Sequence, residues 1–163
     1  MMHAQAKPTA TRAGILQGGL GFTSANGDYT QKRISGFTAY GTFDFYKNFG
    51  LEADIHDVSV ITPQDIGETS YEAGLRYVYR HNRFEPYAKV LFGIASFKRQ
   101  AGSYANPSST NYAEYSYGAG LDLRLEHHIN VRVIDFELQT WPTFPPNNLT
   151  PSLITVGVAY RLR

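Results

Sequence analysis

Residues Tyr115–Glu126 read YSYGAGLDLRLE, and the alternation in this stretch decides the fold. Tyr115, Tyr117, Ala119, Leu121, Leu123 and Leu125 share one parity, while Ser116, Gly118, Gly120, Asp122, Arg124 and Glu126 share the other. Successive side chains of a strand point to opposite faces. A strand here therefore has a continuous apolar face and a face carrying three charges in a row. Everything turns on which face looks inward.

The same period recurs along the chain. Ala13 to Thr23 forms a glycine-rich first strand. In the second, Phe37, Ala39, Gly41, Phe43 and Phe45 oppose Thr38, Tyr40, Thr42 and Asp44. The third sets Leu51, Ala53 and Ile55 against Glu52, Asp54 and His56. The fourth sets Tyr71, Ala73, Leu75, Tyr77 and Tyr79 against Glu72, Gly74, Arg76 and Arg80. A fifth runs from Pro86 to Lys98, and the quoted stretch is the sixth. In the seventh, Ile129 to Trp141, Val131 and Val133 change parity with Ile134, Phe136 and Leu138, which predicts a β-bulge at Val133–Ile134. The eighth is Ser152 to Leu162, and no stretch shows a sustained helical period.

The connections alternate in length. Lys47–Gly50, His81–Glu85 and His127–His128 are short; Ser24–Arg33, Thr62–Gly67, Arg99–Tyr112 and Pro142–Pro151 are longer and polar. Strict alternation places the longer links at one end of an eight-strand meander. The Ser- and Asn-rich segment Arg99–Tyr112 is expected to be the longest and a mobile loop.

Bulk properties narrow the class. A chain of 163 residues makes one domain rather than two. No run approaches ~18 consecutive apolar residues, so a transmembrane helix is excluded, and mean hydropathy is −0.32. A net charge of +1 gives no basic excess to hold nucleic acid. Twelve Tyr and ten Phe suit an all-β protein, and with no cysteine no disulfide or thiolate chemistry is available. Ala4-Gln5-Ala6 has the small-x-small form of a signal-peptidase site. Residues 1–6 then read as a signal-peptide remnant and 7–163 as one barrel domain, although only Met1-Met2-His3 stand where an apolar run belongs.

Two closed barrels accommodate eight antiparallel strands. A soluble lipocalin-like barrel turns its apolar face inward around an apolar ligand. A membrane barrel turns that face to lipid and keeps a polar interior. The membrane version fits better. The apolar parity is rich in aromatics, and Tyr gathers near strand ends, as in an interfacial girdle. The other parity mixes small residues with charges of both signs, which a narrow barrel can enclose. Strands of about ten residues suffice to cross a bilayer when tilted. The expected fold is an all-β, eight-stranded antiparallel up-and-down transmembrane β-barrel with a polar interior. Its predicted interior ion-pair network comprises Glu52, Asp54, His56, Glu72, Arg76, Asp122, Arg124, Glu126, Arg132, Asp135, Glu137 and Arg161. Lysine is expected to be scarce there, because the planar guanidinium is the better partner for buried carboxylates. Arg124 is expected to pair with Glu72 or Glu137, and Leu123 to lie near mid-membrane.

The strands AGILQGGLGFT and YSYGAGLDLRLE and the ending ITVGVAYRLR resemble those of the eight-stranded outer-membrane barrels of the outer-membrane protein A-like kind, and the likeness covers nearly the whole chain. It implies bacterial outer-membrane localisation, outer-membrane lipid as surroundings, and recognition of the last strand by the outer-membrane assembly machinery. Such strands usually end on an aromatic residue, whereas this one ends Tyr160-Arg161-Leu162-Arg163. The peptidoglycan-binding function of larger relatives has no counterpart in these residues.

Chemistry is sparse. His127 and His128 are adjacent, so in a strand they would diverge, and a paired metal site is not expected. His56 shares the polar parity with Glu52 and Asp54. Ser59 would reach it only if Val58 and Val60 mark a bulge, and the His-x-Ser arrangement of lipid A deacylases is absent. Gly19-Leu20-Gly21 runs into a strand and is no dinucleotide fingerprint. No catalytic residue, metal or cofactor is assigned. The function expected is a structural or surface-interaction role through the long loops, with an unidentified surface partner. A lipid-modifying enzyme or a narrow pore is the lesser alternative, the charged set then serving as a proton or ion path.

Overall fold

The computed structural model describes residues 14–27, 33–58, 66–99, 108–126 and 128–162. They form eight strands: β1 (Ile15–Asn26), β2 (Ile34–Tyr46), β3 (Phe49–Asp57), β4 (Ile66–Val78), β5 (Phe84–Arg99), β6 (Ser108–Arg124), β7 (Ile129–Thr140) and β8 (Ser152–Leu162). Each pairs antiparallel with its sequence neighbours, and β8 pairs with β1, from Leu16↔Leu162 to Asn26↔Ser152. The sheet closes on itself, so every strand has a partner on both sides over the body of the barrel.

The apolar parity faces out. Leu20, Phe37, Leu75, Val90, Phe92, Tyr117 and Val158 are exposed, whereas Glu52, Asp54, Arg76, Asp122 and Arg132 are buried. A lipocalin-like barrel would show the reverse. Along β5 the outward positions Phe84, Pro86, Ala88, Val90, Phe92 and Ile94 give way to Ser96 and Lys98. At about 3.3 Å per residue and a tilt of about 40° this apolar run rises about 25 Å, the height of the lipid-facing band of such barrels. Tyr46, Phe49, Tyr79, Phe84 and Tyr160 stand exposed at the short-turn end, where aromatic rings favour the interface.

The short turns carry the residues that tight hairpins require. Lys47 and Asn82 have φ of 36° and 56°, the left-handed region that two-residue turns use and that Asn tolerates best. The seventh strand has its bulge. Val133 and Ile134 are both exposed while Arg132 and Asp135 are both buried, and the β7–β8 register shifts between those two. One added residue therefore lets both halves of β7 keep their charges inside.

Other expectations need correcting. The segment Arg99–Tyr112 is loop over less of its length than expected: β5 continues to Arg99, β6 begins at Ser108, and those two residues pair, while residues 100–107 lie outside the described residues. Polar composition suggested a loop, but a ladder needs only main-chain donors and acceptors, and here the Ser96 and Ser109 hydroxyls also meet at 3.0 Å. Residues Ser108 to Glu114, seven in all, extend beyond the last β6–β7 pair, Tyr115↔Thr140. Leu123 is not mid-membrane, because it pairs with Phe84 at the short-turn end. Val58 keeps the inward parity of His56. Residues 1–6, Ser59, Val60 and His127 lie outside the described residues.

Candidate functional site: the charged lumen

The inward parity of β3, β4, β6 and β7 brings Glu52, Asp54, Arg76, Asp122, Arg132, Asp135 and Glu137 together in the middle of the barrel, all buried. At their centre is a residue that sequence reasoning missed, Lys89 of β5. Its ammonium lies 2.6 Å from Asp54, 2.7 Å from Asp135, 2.8 Å from Glu137 and 3.2 Å from Glu52. The expected scarcity of lysine thus fails at the most important position. Four carboxylates converge from β3 and β7, and a compact ammonium with rotatable donors can serve carboxylates from several directions. A planar fork suits one or two. The signal was available in β5, where Glu85, Tyr87, Lys89 and Leu91 alternate with the outward Pro86, Ala88, Val90 and Phe92.

The two guanidiniums take the flanks. Arg76 donates to Asp122 at 2.5 Å and lies 3.1 Å from Glu52. Arg132 lies 3.0 Å from Glu52, 3.3 Å from Asp122 and 3.4 Å from Asp135. Both also stack on tyrosines, Arg76 on one from the adjacent β5 and Arg132 on one that reaches across the lumen from β2. Arg132 lies 3.8 Å from the Tyr40 ring centre and Arg76 lies 4.0 Å from that of Tyr87. The rings shield the pairs from water, which strengthens them.

Toward the long-link end, His56 joins a chain of polar contacts. Its Nδ1 is 2.6 Å from Thr38 Oγ1, which meets Thr23, whose hydroxyl is 2.7 Å from Thr155. Its Nε2 is 3.6 Å from Glu137, 3.9 Å from Asp54 and 4.0 Å from Glu72. Gln139 donates to Glu137 at 3.0 Å and reaches Ser70 and Glu72 at 3.2 and 3.3 Å. Above this layer Trp141 is fully buried with Ala95, Phe97 and Leu149, and Tyr112 and Phe144 pack on them. The longest remaining link, past Trp141, is thereby pinned across the barrel end.

At the short-turn end the predicted set falls away from the network. Glu126 is exposed: β6 ends at Arg124, and the amides of Leu125 and Glu126 both turn to the carbonyl of Ile129. Arg124, with a side chain 39% exposed, sits 3.8 Å from Glu85 and donates to the Asn82 carbonyl at 2.6 Å. It approaches neither Glu72 nor Glu137, because its register partner is Asn130 near the start of β7. Arg161 lies 3.7 Å from Glu85, and Arg80 pairs with Asp44. Arg83, Arg124 and Arg161 line a cavity of about 550 Å³ at this mouth.

Among the described residues, two groups offer ligand atoms within 4.8 Å of one another, Asp54–His56–Glu137 and Glu52–Asp54–Asp135. Lys89 already supplies both with a positive charge at salt-bridge distance, so neither needs a metal.

The closed, polar-cored barrel agrees with a comparison against protein families: residues 1–161 match the outer membrane protein beta-barrel domain. The chain belongs to that family. It is an outer-membrane β-barrel, and the bacterial outer membrane is where it resides. No match was found among curated proteins. Among solved structures, the barrel is similar to Neisserial surface protein A, with TM-score 0.69 and 11% identity over 92% of this chain and 97% of that one. Ail of Yersinia pestis, in complex with the heparin analogue sucrose octasulfate, gives TM-score 0.58 and 17% identity over 91% and 99%. OprG of Pseudomonas aeruginosa gives 0.59 and 14% over 92% and 95%. At such identities these likenesses speak to the fold alone.

Proposed function

We propose that this outer-membrane barrel is a non-catalytic, non-conducting surface protein that anchors its long links, and the extended β5–β6 hairpin, for structural or interaction roles outside the cell. The observation that carries this reading is the lumen. Lys89, Arg76, Arg132 and their carboxylates are packed so that the largest of them are less than 2% exposed, and an eight-stranded barrel leaves no room to go around them. The non-catalytic part is supported by His56, whose Nδ1 is taken by Thr38 and whose Nε2 faces carboxylates rather than a nucleophile. The outward direction of the long links follows from the loop asymmetry of bacterial barrels. Residues Ser152–Leu162 are the strand proposed to be read by the assembly machinery.

The protein refolded into planar bilayers should give no discrete conductance steps; steps that scale with the protein added would overturn the sealed-lumen reading. Protease added to intact cells should cut between Arg99 and Ser108 and spare the Lys47-Asn48 turn. The opposite pattern would place the long links in the periplasm.

A further inference from the structure

The short-turn mouth carries more positive charge than its neighbours use. Arg80 is matched by Asp44. Behind Arg124 and Arg161 lies one buried acid, Glu85, and neither arginine closes on it. Arg124 Nη1 stands 3.8 Å from Glu85 Oε1 and Arg161 Nη2 stands 3.7 Å from Glu85 Oε2, both past hydrogen-bond reach. Arg83 forms no ion pair among the described residues. Its carbonyl accepts from the Arg124 amide at 2.8 Å, so these two side chains start from the same rung. Arg124 spends one N–H on the Asn82 carbonyl, and Arg161 Nη2 also lies 3.3 Å from the Asn130 amide. A guanidinium has five N–H donors, so toward the described residues most donors of the trio are unspent.

These three arginines line the cavity of about 550 Å³ at the mouth, a volume inside the range of small-molecule sites, about 300–1,000 Å³. Its other wall residues are Leu125 and Glu126. Glu126 is exposed and forms no ion pair among the described residues. Leu125 has the outward parity of the lipid face and is exposed, as are Tyr160 and Leu162 near the end of β8. The cavity therefore joins the polar mouth to the apolar rim. A ligand that matches it carries an anion for the arginines, a cation for Glu126 and an apolar part toward Leu125.

We propose that this cavity holds the headgroup of a phosphoethanolamine lipid, with the phosphate on Arg83, Arg124 and Arg161, the ammonium on Glu126, and the acyl chains leaving past Leu125. Guanidinium forks match phosphate oxygens in pairs. A primary ammonium brings three N–H donors to a carboxylate, whereas a quaternary one brings none, so Glu126 selects ethanolamine over choline. That the lipid comes from the periplasmic leaflet rests on the outward direction of the long links proposed above; the binding itself does not.

Calorimetric titration of the folded barrel in an uncharged, phosphate-free detergent tests each part, with glycerophosphoethanolamine, glycerophosphocholine and inorganic phosphate as probes. Glycerophosphoethanolamine should bind most tightly. Arg83→Gln and Arg124→Gln should each weaken it about tenfold, the loss of one charge-assisted contact, and heat-modifiable gel migration checks that both variants fold. Glu126→Gln should weaken glycerophosphoethanolamine about tenfold yet bind inorganic phosphate at least as well. Arg33→Gln, at the opposite end, should change nothing. In the lipid arm, native mass spectrometry of the barrel released from vesicles of mixed phosphatidylethanolamine, phosphatidylcholine and phosphatidylglycerol should show phosphatidylethanolamine retained, and Glu126→Gln should lose that preference. A folded barrel that binds none of the probes would overturn the site. Equal binding of all the probes, or indifference to Glu126→Gln, would overturn the zwitterion and leave a general anion site. Binding of the soluble probe without lipid retention would overturn the lipid as occupant. None of these readouts depends on which way the barrel faces or whether it conducts, so their failure is distinct from that of the protease and bilayer tests.

Discussion

Lys89 shows what a single side chain does in a closed lumen. Its four carboxylates come from β3 and β7, strands that are not its neighbours in the sheet. Replacing it by Met should leave those carboxylates without their shared cation, and losing one partner of a buried pair costs roughly 3–5 kcal/mol, less where water enters. Arg124→Leu should cost no more than about 0.5 kcal/mol, since that side chain lies at the open mouth. Urea unfolding of the refolded barrel in detergent micelles measures both; equal losses would mean that the mouth pairs matter as much as the centre. The contrast also marks the limit of reading the sequence. Parity told which residues face inward, and it did so for Asp122, Arg132 and Glu137. It could not tell that Lys89 would meet carboxylates across the barrel, nor that Glu126 lies just past the end of its strand. Those facts depend on the registers around the whole ring and on where β6 stops.

At the scale of the strand, alternation is strict enough that one residue too many is an event. In β7 the event is Val133–Ile134, read from the sequence because Val131 and Val133 fall out of step with Phe136 and Leu138. Deleting Val133 should therefore be tolerated: Arg132, Ile134 and Asp135 would then alternate regularly, in–out–in, and β6 already pairs Leu121 with Ile134 and Asp122 with Arg132. Deleting Ala119 from β6 should abolish folding, since every charge on one side of the cut would turn toward lipid. The readout is heat-modifiable gel migration, which the first deletion should keep and the second should lose. The ends of β5 and β6 were less legible than their middles. Beyond Ile94 and its partner Ala113 the outward residues turn polar, so the hydrophobic alternation that reveals a strand fades while the main-chain ladder continues.

For the molecule as a whole, the inside-out arrangement is the property that membrane insertion rests on. Val90, in the middle of the outward run of β5 and 48% exposed, should meet lipid near the midplane. Val90→Arg should destabilise the barrel by about 2–4 kcal/mol in bilayers, whereas Lys98→Arg, beyond the apolar band, should change stability by about 0–1 kcal/mol. Unfolding titrations in lipid vesicles decide this, and equal tolerance at both positions would contradict the burial of β5 in the membrane.

The seam between β1 and β8 has a consequence of its own. Because the ladder from Leu16↔Leu162 to Asn26↔Ser152 runs unbroken, the first and last strands are joined as the interior pairs are, and the ring has no natural beginning. A short linker could tie those ends together and a cut could be made at Asn82-Arg83, with every ladder still available to the rearranged chain. Such a chain should refold in detergent to the same barrel. Which strand is synthesised first is a property of the gene; the finished cylinder keeps no record of it.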